Sequence, residues 1–215
     1  IEEVLGDLLN LNKESVHNKY IRALMFQLFE NNGVIKRELI NEIVKSIKID
    51  ERKKIWELGI KIGRYHVYLP KMLKPKAVSL RISLWRLFYE LAASQNIPRS
   101  GLNYLTDKKY NKSFLLLCGF EKFKNHYVRI DILEKLFIKI LNKTKNRKFK
   151  IDAEMINLIG CNKEGFYSLM LSMNYKKGKV TDTYFYSGEG KRKNKFVNIK
   201  RDENPFNKLL ALNIK

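Results

Sequence analysis

The stretch GIKIGRYHVYLPKMLKPKAVSLRISLW, from Gly59 to Trp85, decides the fold of the first half of the chain. Its first residues alternate between apolar and polar types, which predicts a β-hairpin over residues 60–69. Gly63-Arg64 suits a two-residue turn, because glycine adopts a positive φ without strain. Pro75 suits the first turn of a helix, and the apolar residues after it predict a long helix over residues 77–91. Because these apolar residues cover more than one face, we expect this helix to be central.

The residues before this stretch have the apolar spacing of helices. Residues 1–12 are a short amphipathic lead-in, and the predicted helices lie at residues 15–31, 36–46 and 50–59. Asp50 is a predicted N-cap, as are Asp131 and Asp152 further along the chain. We therefore expect residues 1–95 to form a helical domain that contains the hairpin and the central helix. We expect residues 96–118 to form a connecting segment, because the first part of this segment is rich in Asn, Ser, Gly and Pro.

The remaining residues, 119–215, predict a second domain. A short hairpin over residues 120–130 leads into it. Helices are then predicted at residues 132–143, at 152–160 and up to Asn174, and strands at residues 180–187 and 195–200. Three helices followed by a basic hairpin is the order of a winged helix. The predicted fold class is mainly α with small β-hairpins: a helical bundle domain followed by a winged-helix-like domain.

The charge of the chain favours an anionic partner. Its 215 residues include 43 Lys and Arg but only 22 Asp and Glu, which gives a net charge of +21. Nucleic acid and anionic membranes are the usual partners of such proteins. No apolar run reaches the roughly 20 residues that a membrane span needs, so we expect a soluble, cytoplasmic protein without a membrane partner.

The sequence contains none of the common catalytic or cofactor motifs. It has no GxxxxGK[ST] phosphate loop, no GxGxxG, no HExxH and no GxSxG. Cys118 and Cys161 lie far apart without a CxxC, so we expect buried free thiols and no metal site. The three histidines are isolated in sequence, and His66 is expected at the surface or half-buried. We therefore predict no catalytic, cofactor-binding or metal-binding residue in this chain.

A basic segment over residues 176–201, the predicted wing, carries the strongest binding signal. Cations follow a phosphate backbone, and exposed aromatic rings stack on unpaired bases. The predicted nucleic-acid-binding residues here are Lys176, Lys177, Lys179, Tyr184, Tyr186, Lys191, Arg192, Lys193 and Lys195. The alternative is a solvated hairpin whose aromatic residues pack on the helices.

A second basic group flanks the first hairpin. It consists of Arg64, Lys71, Lys74, Lys76 and Arg81, of which Arg64 and Lys74 are predicted binding residues. This second group either extends the basic surface of the predicted wing or forms a solvated rim. The helix that would read bases offers Glu164, Ser168 and Leu171 outward, whereas base readout uses Arg, Lys, Asn or Gln. The sequence therefore favours contact with a backbone or a single strand.

The stretch from Gly59 to Trp85 resembles a segment of the alphaproteobacterial relatives of the mitochondrial degradosome RNA helicases, which are DExH-box enzymes of superfamily two. The matching residues are Gly59-Ile60-Lys61-Ile62-Gly63-Arg64, Val67-Tyr68-Leu69-Pro70, Leu73-Lys74-Pro75, Leu80-Arg81 and Leu84-Trp85. Later segments are similar in order, namely Gly119-Phe120, Val128 to Glu134, Leu158-Ile159-Gly160-Cys161, Met173-Asn174-Tyr175 and Asn204-Pro205-Phe206.

The resemblance implies that this chain is the C-terminal accessory region of an ATP-dependent RNA helicase. The ATPase motifs, with ATP and Mg²⁺, would then belong to motor domains before residue 1 of the same polypeptide. The implied role is to guide a single-stranded RNA beside these motor domains or to dock a partner such as a nuclease. Two alternatives remain open: a free-standing winged-helix protein that binds DNA, and a protein-docking module.

Overall fold

The computed structural model describes most of the chain and divides it into two compact units. The described residues are 2–13, 16–89, 97–99, 101–106, 110–178 and 182–187. The first unit comprises the described residues up to Ile97 together with Leu116–Gly119, and the second comprises Pro98–Leu115 and the residues from Phe120 onward. The described chain is mainly α, with small antiparallel sheets of three strands each.

The first unit consists of helices around one three-stranded sheet, sheet A. Its elements are α1 (Glu2–Lys13), α2 (Lys19–Glu30), β1 (Val34–Lys36), a 3-10 turn (Arg37–Ile40), α3 (Asn41–Ser46), α4 (Arg52–Glu57), β2 (Lys61–Ile62), β3 (His66–Tyr68), a second 3-10 turn (Pro70–Leu73) and α5 (Pro75–Tyr89). The strand order is β1-β3-β2, with β3 central. Asn18 caps α2 by accepting backbone hydrogen bonds from Tyr20 and Ile21.

The predicted hairpin is present, but its turn and its surroundings differ from the prediction. Lys61 pairs with Tyr68, and the backbone N–H of Gly63 donates to the carbonyl of His66 at 2.8 Å. The turn is therefore Arg64-Tyr65, and Gly63 has no positive φ. Strand β1, which the sequence did not predict, covers the other edge of β3. As a result His66 is only 1% exposed, whereas the sequence predicted a surface or half-buried position.

Helix α5 begins at Pro75, two residues before the predicted start, and Pro75 lies in its first turn as expected. The helix is not buried all round. Ala77 and Ile82 lie in the core, whereas Leu87 is 76% exposed. Arg81, which the sequence assigned to a basic surface, is only 2% exposed. Its guanidinium donates to the carbonyl oxygens of Asn32, at 2.8 Å, and Met72. It is therefore a structural cross-link rather than part of a binding surface.

The second unit contains two further sheets. Its elements are β4 (Tyr104–Thr106), α6 (Lys112–Leu117), β5 (Phe120–Phe123), β6 (His126–Arg129), α7 (Ile130–Lys143), β7 (Lys148–Lys150), α8 (Ala153–Ile159), α9 (Lys163–Ser172), β8 (Tyr175–Lys177) and β9 (Thr183–Tyr186); the last two residues of α6 group with the first unit. Sheet B has the order β4-β6-β5, and sheet C has the order β7-β9-β8. The predicted 120–130 hairpin is confirmed, and β4 is added to it within the predicted connecting segment.

The helices of the second unit follow the sequence closely, with one correction at a cap. Asp152 caps α8 by accepting from the backbone N–H of Met155 at 2.9 Å, and Gly160 ends it at a φ of +78°. Asp131 is not the N-cap, because α7 begins at Ile130 and Asp131 is its second residue. Its carboxylate instead pairs with the guanidinium of Arg129 at 2.7 Å. At Asp50, in the first unit, the prediction is one residue early, since Glu51 precedes α4.

The hairpin of the predicted wing is formed by strands other than those predicted. Strand β8, which precedes residue 180, pairs with β9, so that the hairpin spans Tyr175–Lys177 and Thr183–Tyr186. The predicted return strand, residues 195–200, lies outside the described residues. Strand β7 completes the sheet on the other edge of β9.

The two units share one order of elements. In the first unit it is α2-β1-α3-α4-β2-β3, and in the second it is α7-β7-α8-α9-β8-β9. In both, the strand between the first two helices pairs with the last strand of the hairpin. This repeat lies in the connectivity of the elements and was not predicted from the residues.

Both cysteines are free, and burial raises their pKa values. Cys118 is buried and its pKa is raised to about 12, although the positive charges of Arg81 and Arg86 oppose the rise. Cys161 is half-buried, with a pKa raised to about 11. None of the described helices is long and apolar enough to cross a membrane.

We predict that both thiols react slowly in the folded protein, and Cys118 more slowly than Cys161. At pH 8 these pKa values leave a thiolate fraction on the order of 10⁻⁴ and 10⁻³, and only the thiolate attacks. The measurement is labelling by a chromogenic disulfide, with mass spectrometry to assign each site and urea-unfolded protein as the control. Labelling of Cys118 in the folded protein at the unfolded rate would contradict the prediction.

Candidate nucleic-acid interface

The outer face of sheet C gathers lysines from two separate parts of the chain. Lys148 pairs with Phe185 across β7 and β9, and Lys176 pairs with Phe185 across β8 and β9. Directly opposed residues in an antiparallel sheet point to the same face. Phe185 is therefore flanked on both sides by lysines, and Lys150 lies two residues along β7 on the same face. We call Lys148, Lys150, Lys176 and Phe185 the outer face of sheet C.

The three lysines of this face are available to a ligand. All of them are exposed, and none has an ion-pair partner among the described residues. Strands in a sheet are about 4.8 Å apart, so Lys148 and Lys176 stand on the order of 10 Å apart with the ring between them. Phe185 itself is half-buried. Uncompensated cations beside an accessible ring form a surface on which a strand can lie.

Tyr184 lies on the opposite face and does not belong to this surface. It is 2% exposed, and its ring stacks on that of Tyr167 at 5.9 Å between centroids. Its ring also lies 6.4 Å from that of Phe149, its cross-strand partner. Burial raises the pKa of the Tyr184 hydroxyl. The prediction that Tyr184 binds nucleic acid is therefore wrong, because the alternation of β9 turns its ring into the core.

The other predicted residues of the hairpin are divided between the two faces. Lys176 lies on the outer face of sheet C, whereas Lys177 shares a face with Tyr184 and is exposed at the sheet edge. Tyr186 is 43% exposed and packs edge-on against Tyr175 at 5.4 Å. Only Lys176 among the predicted residues of this hairpin therefore flanks Phe185.

One acidic residue, Asp182, anchors the start of β9. The hydroxyl of Tyr167 donates to the carboxylate of Asp182, and Lys163 lies 3.5 Å from the same carboxylate. These contacts hold the pKa of Asp182 below its usual range, with the hydrogen bond as the larger cause. Asp182 has a φ of +58°, and its carbonyl accepts from the backbone N–H of Ile151 at 2.9 Å. The hairpin is thereby tied to α9 and to the end of β7.

The remaining predicted binding residues are not brought to sheet C by the described structure. Lys179, Lys191, Arg192, Lys193 and Lys195 lie outside the described residues. Arg64 and Lys74 belong to the first unit, where both are exposed, Arg64 in the turn of the hairpin and Lys74 after the second 3-10 turn.

Sequence reasoning missed Lys148, Lys150 and Phe185. The signal was the alternation Lys148-Phe149-Lys150-Ile151, in which the two apolar residues are buried and the lysines exposed. This pattern is typical of a strand with one solvated face. Four alternating residues are too few to distinguish a short strand from a basic connection between helices.

Comparison with known proteins identifies no family for this chain. No family model matches the chain, and no curated protein or solved structure does so either. Within the described part of the chain, no cluster of three His, Cys, Asp or Glu residues could hold a metal ion. The functional assignment therefore depends on the residues and on their geometry.

Proposed function

We propose that this chain binds single-stranded RNA and is the C-terminal accessory region of an ATP-dependent RNA helicase. The observation that carries the binding proposal is the row Lys148–Phe185–Lys176 across sheet C. The lysines contact phosphates, and the ring of Phe185 supports a base. The basic residues 191–195 add to the same electrostatic attraction.

We also propose that the segment from α7 to β9 is a winged-helix module. Its order of elements, with β7 between the first two helices, supports this proposal. So does the strand order, in which β9 is central. The connection between β8 and β9, which Asp182 anchors, then corresponds to the wing.

Several features favour a single strand over sequence-specific reading of duplex DNA. The outward side chains of α9 include Glu164 and Leu171, both exposed and neither suited to base edges. Ser168 hydrogen-bonds through its hydroxyl to Nε2 of His126 at 2.8 Å. The cations instead lie on the sheet beside an aromatic ring.

The helicase proposal is supported by the resemblance of Gly59–Trp85 and the later segments to the degradosome helicase family. In this proposal ATP and Mg²⁺ bind the motor domains of the same polypeptide, and the present chain contributes no catalytic residue. Its role is to hold the RNA strand beside the motor domains, and it offers a position at which a nuclease can dock.

The experiment that tests the proposal is a titration of the chain by fluorescence anisotropy against single-stranded RNA, duplex RNA and duplex DNA. We expect the tightest binding to single-stranded RNA. We also expect the affinity to fall with salt, with a slope of about −0.7 per phosphate contact. Preference for duplex DNA would support a free-standing DNA-binding protein instead. Absence of salt-dependent binding would favour a protein-docking module.

A further inference from the structure

Helix α4 of the first unit exposes a tryptophan to solvent. Trp56 is 76% exposed, whereas its neighbour Ile55 is buried and holds the helix on the core. Its indole has no aromatic or cationic contact with any described side chain. In this position most of the indole surface remains in water, where the ring is available for stacking.

Two cations flank Trp56 on the same side of α4. Arg52 lies four residues before it and Lys53 three residues before it, which are the spacings of neighbours on a helix surface. Both are exposed, and neither forms an ion pair with another described residue. We call Arg52, Lys53 and Trp56 the Trp56 face.

The acidic residues around α4 are mostly engaged elsewhere. Glu57 is four residues after Lys53, and therefore its neighbour on the helix surface, and lies 4.0 Å from Lys54. Glu51 accepts hydrogen bonds from the side chain of Asn18 and from the backbone N–H of Lys48, the latter at 2.9 Å. Asp50, in the turn before the helix, is the remaining exposed acid nearby in sequence. The Trp56 face itself thus places an apolar ring beside two cations that form no ion pair with a described residue.

The position of α4 in the order of elements also favours a contact with nucleic acid. In the order that both units share, α4 and α9 occupy the same place, directly before the hairpin. In helix-turn-helix proteins the second helix of the pair contacts the nucleic acid. The outward face of α9 lacks cations at Ser168 and Leu171, whereas the Trp56 face carries two.

We propose that the Trp56 face binds single-stranded nucleic acid, with the indole stacked on an unpaired base and with Arg52 and Lys53 on the adjacent phosphates. Stacking on an aromatic ring needs no particular base, and cations beside the ring fit the backbone that carries the base. The site belongs to the first unit and uses no residue of the outer face of sheet C. The chain thus has a nucleic-acid contact in each unit, one on a helix and one on a sheet.

The chain offers a direct spectroscopic test, because Trp56 and Trp85 are its only tryptophans. The variant Trp85→Phe makes Trp56 the sole indole. We expect quenching of its fluorescence on titration with oligouridylate, and protection of the indole from iodide by the bound strand. We also expect Trp56→Ala to weaken binding by about 5- to 100-fold, which corresponds to the loss of one stacked base. Trp56→Phe keeps a stacking ring and should restore most of the affinity.

The matched control is Leu87→Ala, which removes another side chain that is 76% exposed in the same unit. It should leave the affinity unchanged. Oligouridylate could bind without changing the Trp56 fluorescence and with the same affinity for Trp56→Ala and Leu87→Ala. In that case the Trp56 face is not a binding site, and the chain binds RNA at another surface. Shielding of the indole that rises with protein concentration without RNA would assign the face to a second copy of the chain and overturn the proposal. Absence of RNA binding overturns both proposals.

Discussion

Replacing Lys148, Lys150 and Lys176 together by Gln is expected to weaken single-stranded RNA binding about 50-fold at ~0.15 M salt. Each phosphate contact to a single strand releases about 0.7 counterion, which contributes ~0.8 kcal/mol at this salt concentration. Three contacts then contribute ~2.4 kcal/mol, and every ~1.4 kcal/mol is a factor of ten in affinity. The same change should make the salt dependence less steep by about 2 in the log–log slope. Fluorescence anisotropy at several salt concentrations measures both quantities.

The control variant replaces three other exposed lysines of the second unit, Lys122, Lys124 and Lys135, by Gln. It removes the same net charge from different elements, namely β5, its turn and α7. If both triple variants weaken binding equally, the attraction comes from the overall charge and the outer face of sheet C is not a defined site. Glutamine keeps much of the aliphatic stem of lysine, so the sheet should remain folded, and circular dichroism checks this.

The largest effect on stability is expected for Arg81→Met, which should destabilise the first unit by ~2–5 kcal/mol. Arg81 is almost fully buried and donates to the carbonyls of Asn32 and Met72. Methionine has a similar length but no donor, so both carbonyls lose their partner at a cost of about 1–3 kcal/mol each. Burial also lowers the pKa of Arg81 to about 10, which shows that the charge is held at some cost. Removing that cost offsets only part of the loss.

The measurement is urea unfolding of the full chain, followed by circular dichroism. Arg22→Met is the matched control, because Arg22 is an exposed arginine on α2 of the same unit. We expect the control to lie within about 0.5 kcal/mol of the original protein. Equal stability of Arg81→Met and Arg22→Met would mean that water replaces the guanidinium at both carbonyls, and the cross-link would then have no structural role. RNA binding by folded Arg81→Met should stay intact, since the side chain is not on the surface.

The sequence predicted helices well because the hydrogen bonds of a helix are local. Phe166, Leu169, Met170 and Met173 have the i, i+3, i+4, i+7 spacing that predicts one inner helix face, and all of them are buried in α9 and at its C-cap. Asp152 and Gly160 marked the two ends of α8 for the same reason. A cap or an apolar stripe depends on residues within a few positions of each other, which a single sequence displays.

Tertiary structure decided the short strands and everything that depends on them. Strands β1, β4 and β7 have three residues each and pair with strands far along the chain, so neither their length nor their partners are encoded locally. Their pairing buried His66, and the register of β9 placed Phe185 rather than Tyr184 beside Lys148 and Lys176.

The sequence by itself determined the positive charge, the helical faces and the presence of the hairpins β2-β3 and β5-β6. Only the tertiary structure decided which cations share a surface, because residues of β7 and β8 meet through β9 and not through proximity in sequence. It also turned Arg81 inward, since two carbonyls of the first unit needed a donor that the local sequence does not reveal.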